Sequence, residues 1–307
     1  MNVLIVCSGN NYKVSAFITE QVASLKKKGI KADFFLIKGK LLGYLMSVFM
    51  LRELLKNSKY NIVHAHFGLS GLVAVQQRIC PVVISFIGSD VNRNVQRILS
   101  RIAMRLSFYN IFVDQRLSKK MNATKSYSNI PFGVDFDKNF FPMSKKQCRK
   151  KLNLNLKSKI VLFSSRFNHP DKNYDLARSA VKLLENVELI ELSDKYSREQ
   201  VCFLLNACDL VLMTSLREGS PQVIKEAMAC NCPIVSTNVG DVKDVIDGTK
   251  GCYITTFDPI DVADKIKLAF AFNKKTDGRE KIKHLDNNII AEKVISVYNK
   301  ILFNWNL

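Results

Sequence analysis

Residues 210–237 read LVLMTSLREGSPQVIKEAMACNCPIVST, and they are the clearest indication of the fold in the sequence. It opens with an apolar, β-prone run that predicts a buried strand. A short polar loop follows, and Ser220 and Pro221 are typical of a helix N-cap and first turn. A second apolar run closes the stretch and predicts another strand. Strand, loop, helix and strand in this order favour a parallel sheet covered by helices.

Two carboxylates, Glu218 and Glu226, stand eight positions apart in this stretch, one on the loop and one inside the predicted helix. Backbone N–H groups at a helix start bind anions, and a carboxylate accepts hydrogen bonds from vicinal hydroxyls. A loop that holds phosphate between two such carboxylates suits a sugar nucleotide. The alternative interpretation of Glu226 is a solvated residue on an ordinary helix.

The same alternation of strands and helices extends over the whole chain. Two consecutive doubly wound sets predict an α/β protein with two Rossmann-like parallel-sheet domains that face a central cleft, where ligands bind at the carboxyl ends of strands. The predicted domains are residues 1–142 and 143–289, joined within 130–142, with a terminal helix at 290–307. Strands are predicted at residues 2–8, 32–37, 62–66, 82–87, 110–114, 159–165, 187–192, 210–215, 233–237 and 252–256.

Arg166 and Lys172 follow the predicted strand 159–165. Cations at a strand's carboxyl edge suit a reaction whose leaving group departs as a diphosphate with growing negative charge. Arginine offers planar bidentate contacts and lysine a point charge. Two solvated loop cations are the alternative in so basic a chain.

The segment from Glu218 to Glu226, with the following Gly240 and Asp241, resembles the Glu-x7-Glu region of the "group 1" glycosyltransferases (family four), which have the GT-B fold. The Arg166-x5-Lys172 pair is similar to the diphosphate-binding pair of that family. The resemblance implies a retaining transfer of sugar from a nucleotide sugar, UDP-linked, to a glycan or lipid-linked glycan acceptor in bacterial surface polysaccharide synthesis.

The resemblance also implies that the first domain binds the acceptor, that the second binds the nucleotide sugar, and that the terminal helix crosses back onto the first domain. It further implies roles for single residues. Glu226 would bind the ribose hydroxyls, and Glu218 would face the donor sugar or its diphosphate end. Backbone contacts to the diphosphate and sugar would come from Gly219, Ser220, Pro221 and Gln222. In the first domain, Gly9 follows the first strand. Either it lets the backbone approach the diphosphate closely, or it is a plain turn glycine.

Residues 82–90, VVISFIGSD, match a family strand that ends in His-Gly-Ser-Asp, but Ile87 replaces the histidine. Isoleucine forms no side-chain hydrogen bond. Retaining reactions of this kind are thought to use the leaving phosphate to help deprotonate the acceptor, so a side-chain base is not essential. A non-catalytic GT-B partner subunit that binds nucleotide or glycan is the alternative, and a GT-B sugar-nucleotide epimerase is a third, less favoured one.

Three further residues of the first domain are acceptor-side or structural candidates. Asp90 either contributes to the site or serves, as we favour, as a helix N-cap. His64 and His66 share one face of a strand. We expect a structural role for His64 and an acceptor-side role for His66.

The formal charge of the 307-residue chain is +19, which fits a nucleic-acid, membrane-surface or anionic small-molecule partner. Nucleic-acid motifs and the Gly-x-Gly-x-x-Gly fingerprint of NAD-binding proteins are absent from the sequence. The pattern Asp135-x-Asp137 lies in the predicted linker, and we expect neither a metal nor another cofactor. Eight cysteines without a disulfide framework favour reduced thiols in the cytoplasm.

Four arginines recur at every fourth position beside apolar residues, and on a helix they form a basic stripe: Arg93, Arg97, Arg101 and Arg105. Basic amphipathic helices bind anionic membranes, and a lipid-diphosphate acceptor would be attracted to the same face. The alternative is a solvated outer face. Residues 41–56, preceded by Lys38 and Lys40, are a second candidate contact. With no signal peptide pattern and no apolar run of about 20 residues, we expect a cytoplasmic protein, peripheral on the inner face of the plasma membrane.

Overall fold

A computed structural model describes residues 1–9, 14–39, 41–124 and 126–305. The chain divides into two compact units. Unit 1 is Met1–Gly133 with Asn287–Leu307, and unit 2 is Val134–Asp286. Each unit is an α/β domain with one parallel sheet, as the sequence predicts.

The sheet of unit 1 has the order β2-β1-β3-β4-β5-β6. Its strands are β1 Asn2–Ser8, β2 Lys31–Ile37, β3 Ile62–His66, β4 Val82–Phe86, β5 Tyr109–Phe112 and β6 Tyr127–Asn129, and the last of these was not predicted. All neighbours pair in parallel, with Val3 opposite Ile62 and Val63 opposite Val82. The central strands are buried along their whole length, because helices cover both faces.

The helices of unit 1 that precede unit 2 in the sequence are α1 Ala16–Lys27, α2 Leu41–Lys56, α3 Gly68–Ala74, α4 Ser89–Asn92, α5 Asn94–Leu106 and α6 Gln115–Met121. Helices α2, α3, α5 and α6 pack on one face of the sheet, where Leu51, Val73, Ala103 and Leu117 share a core cluster. Helix α1 packs on the opposite face through Ile18.

The sheet of unit 2 has the order β11-β10-β9-β7-β8. Its strands are β7 Lys159–Phe163, β8 Val187–Glu191, β9 Leu210–Met213, β10 Ile234–Thr237 and β11 Cys252–Thr255. The helices are α7 Lys145–Lys151, α8 Tyr174–Val181, α9 Arg198–Ala207, α10 Gln222–Ala229, α11 Val242–Ile246, α12 Pro259–Phe272 and α13 Gly278–Lys281, with 3₁₀ turns at Pro170–Lys172 and Lys283–Leu285.

The last helix of the described residues is α14, Asn287–Trp305, which belongs to unit 1. Its residues Ile290, Val294 and Tyr298 enter the same core cluster as Ile18 of α1. The helix therefore completes the second layer of unit 1, although the whole of unit 2 separates it from that unit in sequence. Among the described residues, no helix is both long and apolar enough to cross a bilayer.

Candidate active site

The loops after β7, β9 and β10 meet at the carboxyl edge of the unit 2 sheet, because these three strands are neighbours. Arg166 and Lys172 lie in the first loop, and Glu218 lies in the second. This is the edge at which α/β sheets bind ligands. The sequence places the candidate residues on these loops, and the structure shows which of them touch.

Lys172 and Glu218 are 46 positions apart in sequence, and the structure joins them in an ion pair of 2.5 Å between Nζ and Oε1. Their side chains are 19% and 16% exposed, so the pair is partly shielded from water. The Thr214 hydroxyl, just after β9, donates to the carbonyl oxygens of Lys172 and Asn173 at 3.0 and 2.9 Å. The turn that carries Lys172 is thus fixed to the end of β9.

Arg166 is half exposed, and its guanidinium lies 3.1 Å from the carboxylate of Asp194. Asp194 is itself 74% exposed, and ion pairs between exposed groups contribute about 0–1 kcal/mol. Such a pair can open at little cost. Arg166 is therefore available to an anion at this edge.

The loop that contains Gly219 and Ser220 is held against the turn after β10. The Asp241 N–H donates to the Gly219 carbonyl at 3.2 Å, and the Ser220 hydroxyl donates to the Asp241 carboxylate. Gly240 has φ of +58°, and a Cβ there would lie 2.3 Å from the Gly219 oxygen. Only glycine fits this approach, so the sequence pattern Gly240-Asp241 serves to shape the loop.

Helix α10 begins at Gln222 with Pro221 at its N-cap position, one residue later than predicted. Ser220 is therefore not the helix cap, since its hydroxyl is bound to Asp241. The helix start still follows directly on the Gly219 loop.

Glu226 is 5% exposed, which excludes a solvated position on α10. Its carboxylate Oε1 accepts a hydrogen bond of 2.7 Å from Nη2 of Arg198, the first residue of α9. The Arg198 guanidinium also stacks 4.6 Å from the centre of the Phe140 ring. Sequence reasoning missed Arg198, because its contact with Glu226 depends on the packing of α9 against α10.

In unit 1, His64 is a fully buried structural residue. Its Nδ1 is hydrogen bonded to the Tyr298 hydroxyl at 2.6 Å, and its Nε2 to the Ser85 hydroxyl at 2.8 Å. Burial lowers the pKa of His64 to about 3, so the ring is neutral. Through Tyr298 it ties α14 to β3.

His66 is also fully buried, and neither of its ring nitrogens has a hydrogen-bond partner among the described residues. The ring stacks on His64 at 4.5 Å and on Phe132 at 5.9 Å between centroids. Burial, with a smaller effect of His64, holds the pKa of His66 well below its usual value. An acceptor-side role for His66 requires this buried ring to become accessible.

Asp90 is not a helix N-cap, contrary to the prediction. The N-cap of α4 is Gly88, and Asp90 lies inside the first turn, 3% exposed. Its carboxylate accepts from the N–H groups of Gly88 at 2.8 Å, Ile87 at 3.1 Å and Gly68 at 3.1 Å. Burial raises the pKa of Asp90, and these bonds oppose that rise. Asp90 thus joins the loops after β3 and β4.

Ile87 is half-buried and packs against the same core cluster as α2 and α5. Gly9 is buried at the end of β1, where its N–H donates to the Ile37 carbonyl at 2.7 Å. A Cβ on Gly9 would lie 2.9 Å from Leu36 Cβ, so packing against β2 alone accounts for this glycine. The neighbouring Asn10 and Asn11, and Lys40, lie outside the described residues.

Asp135 of the Asp-x-Asp pattern accepts hydrogen bonds from the Lys138 N–H at 2.9 Å and the Asn139 side chain at 3.4 Å. This carboxylate therefore stabilises a local turn.

Comparison with known families assigns both units. The model of the family "Glycosyl transferase 4-like" matches residues 1–114, and that of "Glycosyl transferases group 1" matches residues 185–271. Together the two models match more than half of the chain, which belongs to the glycosyltransferases that they describe. The two matches lie in unit 1 and unit 2, respectively.

Two curated relatives from bacteria are glycosyltransferases by name. The first is the Bacillus subtilis glycosyltransferase TuaC, which is named for teichuronic acid biosynthesis. It is 24% identical in an alignment of 217 positions, which covers 60% of this chain and 55% of TuaC. The second is the N,N'-diacetylbacillosaminyl-diphospho-undecaprenol α-1,3-N-acetylgalactosaminyltransferase of Campylobacter jejuni. It is 28% identical in an alignment of 115 positions, which covers 35% of this chain and 30% of that enzyme. The match thus spans about half of TuaC and less of the second relative.

Solved structures share the fold over almost the whole glycosyltransferase chain. Sucrose-phosphate synthase from Thermosynechococcus elongatus has a TM-score of 0.85 at 16% identity and covers 99% of both chains. Anabaena HepE, solved with UDP-glucose, has a TM-score of 0.73 at 17% identity and covers 100% of this chain and 99% of its own. The fold is GT-B, as predicted.

Proposed function

We propose that this protein is a retaining glycosyltransferase that moves a sugar from a UDP-linked donor to a glycan or lipid-linked glycan acceptor in bacterial surface polysaccharide synthesis. The observation that carries the proposal is the Lys172–Glu218 pair of 2.5 Å at the carboxyl edge of the unit 2 sheet, beside the Gly219 loop. A cation and a carboxylate held side by side suit a ligand that joins a diphosphate to a hydroxylated sugar.

The donor chemistry follows from the charges at this edge. Lys172 and Arg166 neutralise the diphosphate as the glycosidic bond breaks and negative charge grows on the leaving oxygen. Glu218 positions Lys172 and accepts hydrogen bonds from the donor sugar, and Glu226 accepts them from the ribose hydroxyls. These two cations supply the charge that a metal ion supplies in other transferases, so the proposed reaction uses neither metal nor other cofactor.

The UDP donor and the lipid-linked acceptor are supported by relatives of the chain. HepE was solved with UDP-glucose, and the Campylobacter relative is named for transfer to a diphospho-undecaprenol acceptor. TuaC is named for teichuronic acid biosynthesis. A lipid-linked acceptor places the enzyme in the cytoplasm, at the inner face of the plasma membrane, with the stripe of Arg93, Arg97, Arg101 and Arg105 as its contact to anionic lipid.

The test is a panel of UDP-, GDP- and dTDP-sugars offered to the purified chain with and without a polyprenyl-diphosphate glycan. We expect UDP-sugar turnover, slow donor hydrolysis without acceptor, and a product whose anomeric configuration by NMR is that of the donor. Turnover with GDP- or dTDP-sugars alone would contradict the UDP donor. An inverted product would contradict retention.

A non-catalytic partner subunit is the second candidate, and Ile87 favours it. The half-buried Ile87 side chain packs on the unit 1 core and offers no hydrogen bond to a sugar. An enzyme with this residue should prefer donors that lack the matching hydroxyl, since an apolar site does not leave a polar group unpaired. Ile87→His should then shift relative kcat/KM toward fully hydroxylated donors. Tight nucleotide binding with neither transfer nor hydrolysis would favour the partner subunit.

A further inference from the structure

Helix α2 is apolar on both its faces, which is unusual for a surface helix. Its inner face buries Ser47, Leu51 and Leu55 against the unit 1 sheet. Its outer face exposes five large apolar side chains by 56–77%: Leu42, Leu45, Met46, Phe49 and Met50. A surface helix of a water-soluble domain is normally polar on the side away from the core. The outer face of α2 therefore indicates that another apolar surface binds to it.

Helix α5 repeats this feature in an amphipathic form. Ser100 and Ala103 face inward and are buried. Four apolar residues at helical spacing are exposed by 44–75%: Val95, Ile98, Ile102 and Leu106. At about 100° per residue, three arginines line one edge of this apolar stripe: Arg97, Arg101 and Arg105.

The two exposed faces belong to one layer of unit 1. Leu51 of α2 and Ala103 of α5 enter the same core cluster with Val73 of α3, and α3 packs against both helices. The outer sides of α2 and α5 thus point away from the same face of one sheet. We call the nine exposed apolar residues of these helices the α2–α5 face. Exposed apolar surface of this extent on one layer marks an interaction site.

Charge selects the occupant of the α2–α5 face. Helix α5 has no acidic residue, and the single one of α2, Glu53, is paired with Lys56 at 2.7 Å. The whole chain carries +19. A second copy of the chain would bring the same positive charge to the same face, whereas an anionic bilayer brings opposite charge and an apolar interior.

We propose that the α2–α5 face inserts into the anionic leaflet of a bilayer, with the outer side chains of α2 among the acyl chains and the arginines of α5 at the phosphate level. This rests on the proposed function only in that a lipid-linked acceptor would be met there. Insertion differs from binding by charge alone: part of the affinity comes from apolar burial, and salt does not screen that part.

The test is flotation of the full chain with vesicles of equimolar phosphatidylcholine and phosphatidylglycerol, and with phosphatidylcholine alone. Leu45→Ser, Met46→Ser and Phe49→Ser together should lower the partition coefficient at least about 100-fold, because three exposed apolar side chains lose their burial. The matched control is Leu183→Ser, Ile260→Ser and Leu268→Ser on unit 2, which are similarly exposed and should change binding less than about twofold.

A second pair of variants separates charge from insertion. Arg97→Gln with Arg105→Gln should weaken binding about 25-fold at low salt, at about fivefold per charge, whereas Lys146→Gln with Lys150→Gln on α7 should have little effect. In about 1 M salt, where the screening length is about 3 Å, the parent chain should keep measurable binding and the triple serine variant should lose it.

The depth of insertion into the bilayer is measured with a tryptophan introduced on the α2–α5 face. The only native tryptophan is Trp305, so Phe49→Trp in a Trp305→Phe background reports from α2 alone. The emission of this variant should shift to the blue on vesicles, and lipids brominated on the acyl chains should quench it. Binding that salt abolishes completely, emission that brominated lipids leave unquenched, or self-association of the parent chain that the triple serine variant removes would overturn insertion.

Failure here is distinguishable from failure of the proposed function. None of the three serine replacements touches a residue of the proposed donor site, so uridine diphosphate binding and donor hydrolysis should be equal in the parent and the triple serine variant. Loss of donor turnover with intact vesicle binding would instead contradict the enzyme assignment.

Discussion

At the carboxyl edge of the unit 2 sheet, Lys172 and Glu218 form a partly exposed ion pair, whereas near the same edge of the unit 1 sheet His66 and Asp90 are buried. On the outer helices, by contrast, it is unit 1 that exposes side chains to water, namely those of the apolar α2–α5 face. Both units use one doubly wound architecture. The difference shows that the sheet provides only the position of loops and helices, and that side chains added at its edge or on its outer helices decide which ligand each unit can hold.

The largest expected effect concerns acid stability, and it falls on unit 1. Burial holds the pKa of His64 at about 3, against an ordinary value of 6.5. The unfolded chain therefore binds a proton that the folded chain does not, so stability is full above pH 6.5 and falls as the pH drops toward 3. His64 alone should lower the free energy of unfolding by about 4–5 kcal/mol in acid. His66, whose pKa is also lowered, should add to this decrease.

Trp305 fluorescence measures the unfolding of unit 1 at each pH, because the Trp305 side chain lies in unit 1 against Phe108. His64→Gln should lower stability at neutral pH, because the contacts to Tyr298 and Ser85 change, but should flatten its decline in acid. The exposed His284 of unit 2 provides the control, and His284→Gln should alter neither. An acid profile of the parent that is flat from about pH 7 to 4 would contradict the buried neutral histidines.

The next effect concerns the loop of unit 2. In Gly240→Ala, the new Cβ would meet the Gly219 oxygen at 2.3 Å in a left-handed backbone conformation. We expect a loss of about 2–3 kcal/mol and weaker UDP binding. Gly248→Ala is matched, because Gly248 has φ of +62° and its nearest contact would be the flexible Lys281 end at 3.5 Å; it should be milder and leave UDP affinity unchanged. Equal effects of both variants on UDP affinity would show that the loop does not depend on this approach.

Replacing the cations tests whether the polar edge of unit 2 binds diphosphate. Lys172→Ala or Arg166→Ala should weaken UDP binding about tenfold or more, because a charge-assisted contact contributes about 1.5–3 kcal/mol. Uridine binding should change little, and calorimetric titration measures both. Lys182→Ala, at an exposed position after α8, is the control. Equal losses for UDP and uridine would exclude a specific contact of these cations with the diphosphate.

The smallest effect is expected at Glu226. Glu226→Gln keeps the size of the side chain but removes its charge, and we expect UDP binding to weaken by a few fold, with a 2′,3′-dideoxy analogue little changed. The Arg198 contact of 2.7 Å would weaken as well. If the dideoxy compound suffers the same loss, Glu226 acts only by holding Arg198.

The apolar and polar periodicity of the chain was enough to predict the parallel α/β fold, since buried strands and amphipathic helices leave their patterns in local sequence. The short, half-exposed β6 was missed because three residues carry no reliable period. The resemblance predicted that Arg166, Lys172, Glu218 and Glu226 lie on loops or helices that follow strands of one sheet. Whether they bind the donor as proposed stays a prediction.

The succession of elements, the positive charge and the loops that carry the candidate residues could be read from the sequence, because they depend on neighbours along the chain. The contacts at the sites depend on tertiary structure. It paired Lys172 with Glu218 and Arg198 with Glu226, buried His66, and turned the carboxylate of Asp90 toward three backbone N–H groups. It also left the outer side of α2 uncovered. Contacts between distant segments and the exposure of a helix face depend on how elements pack, and a local pattern does not contain that information.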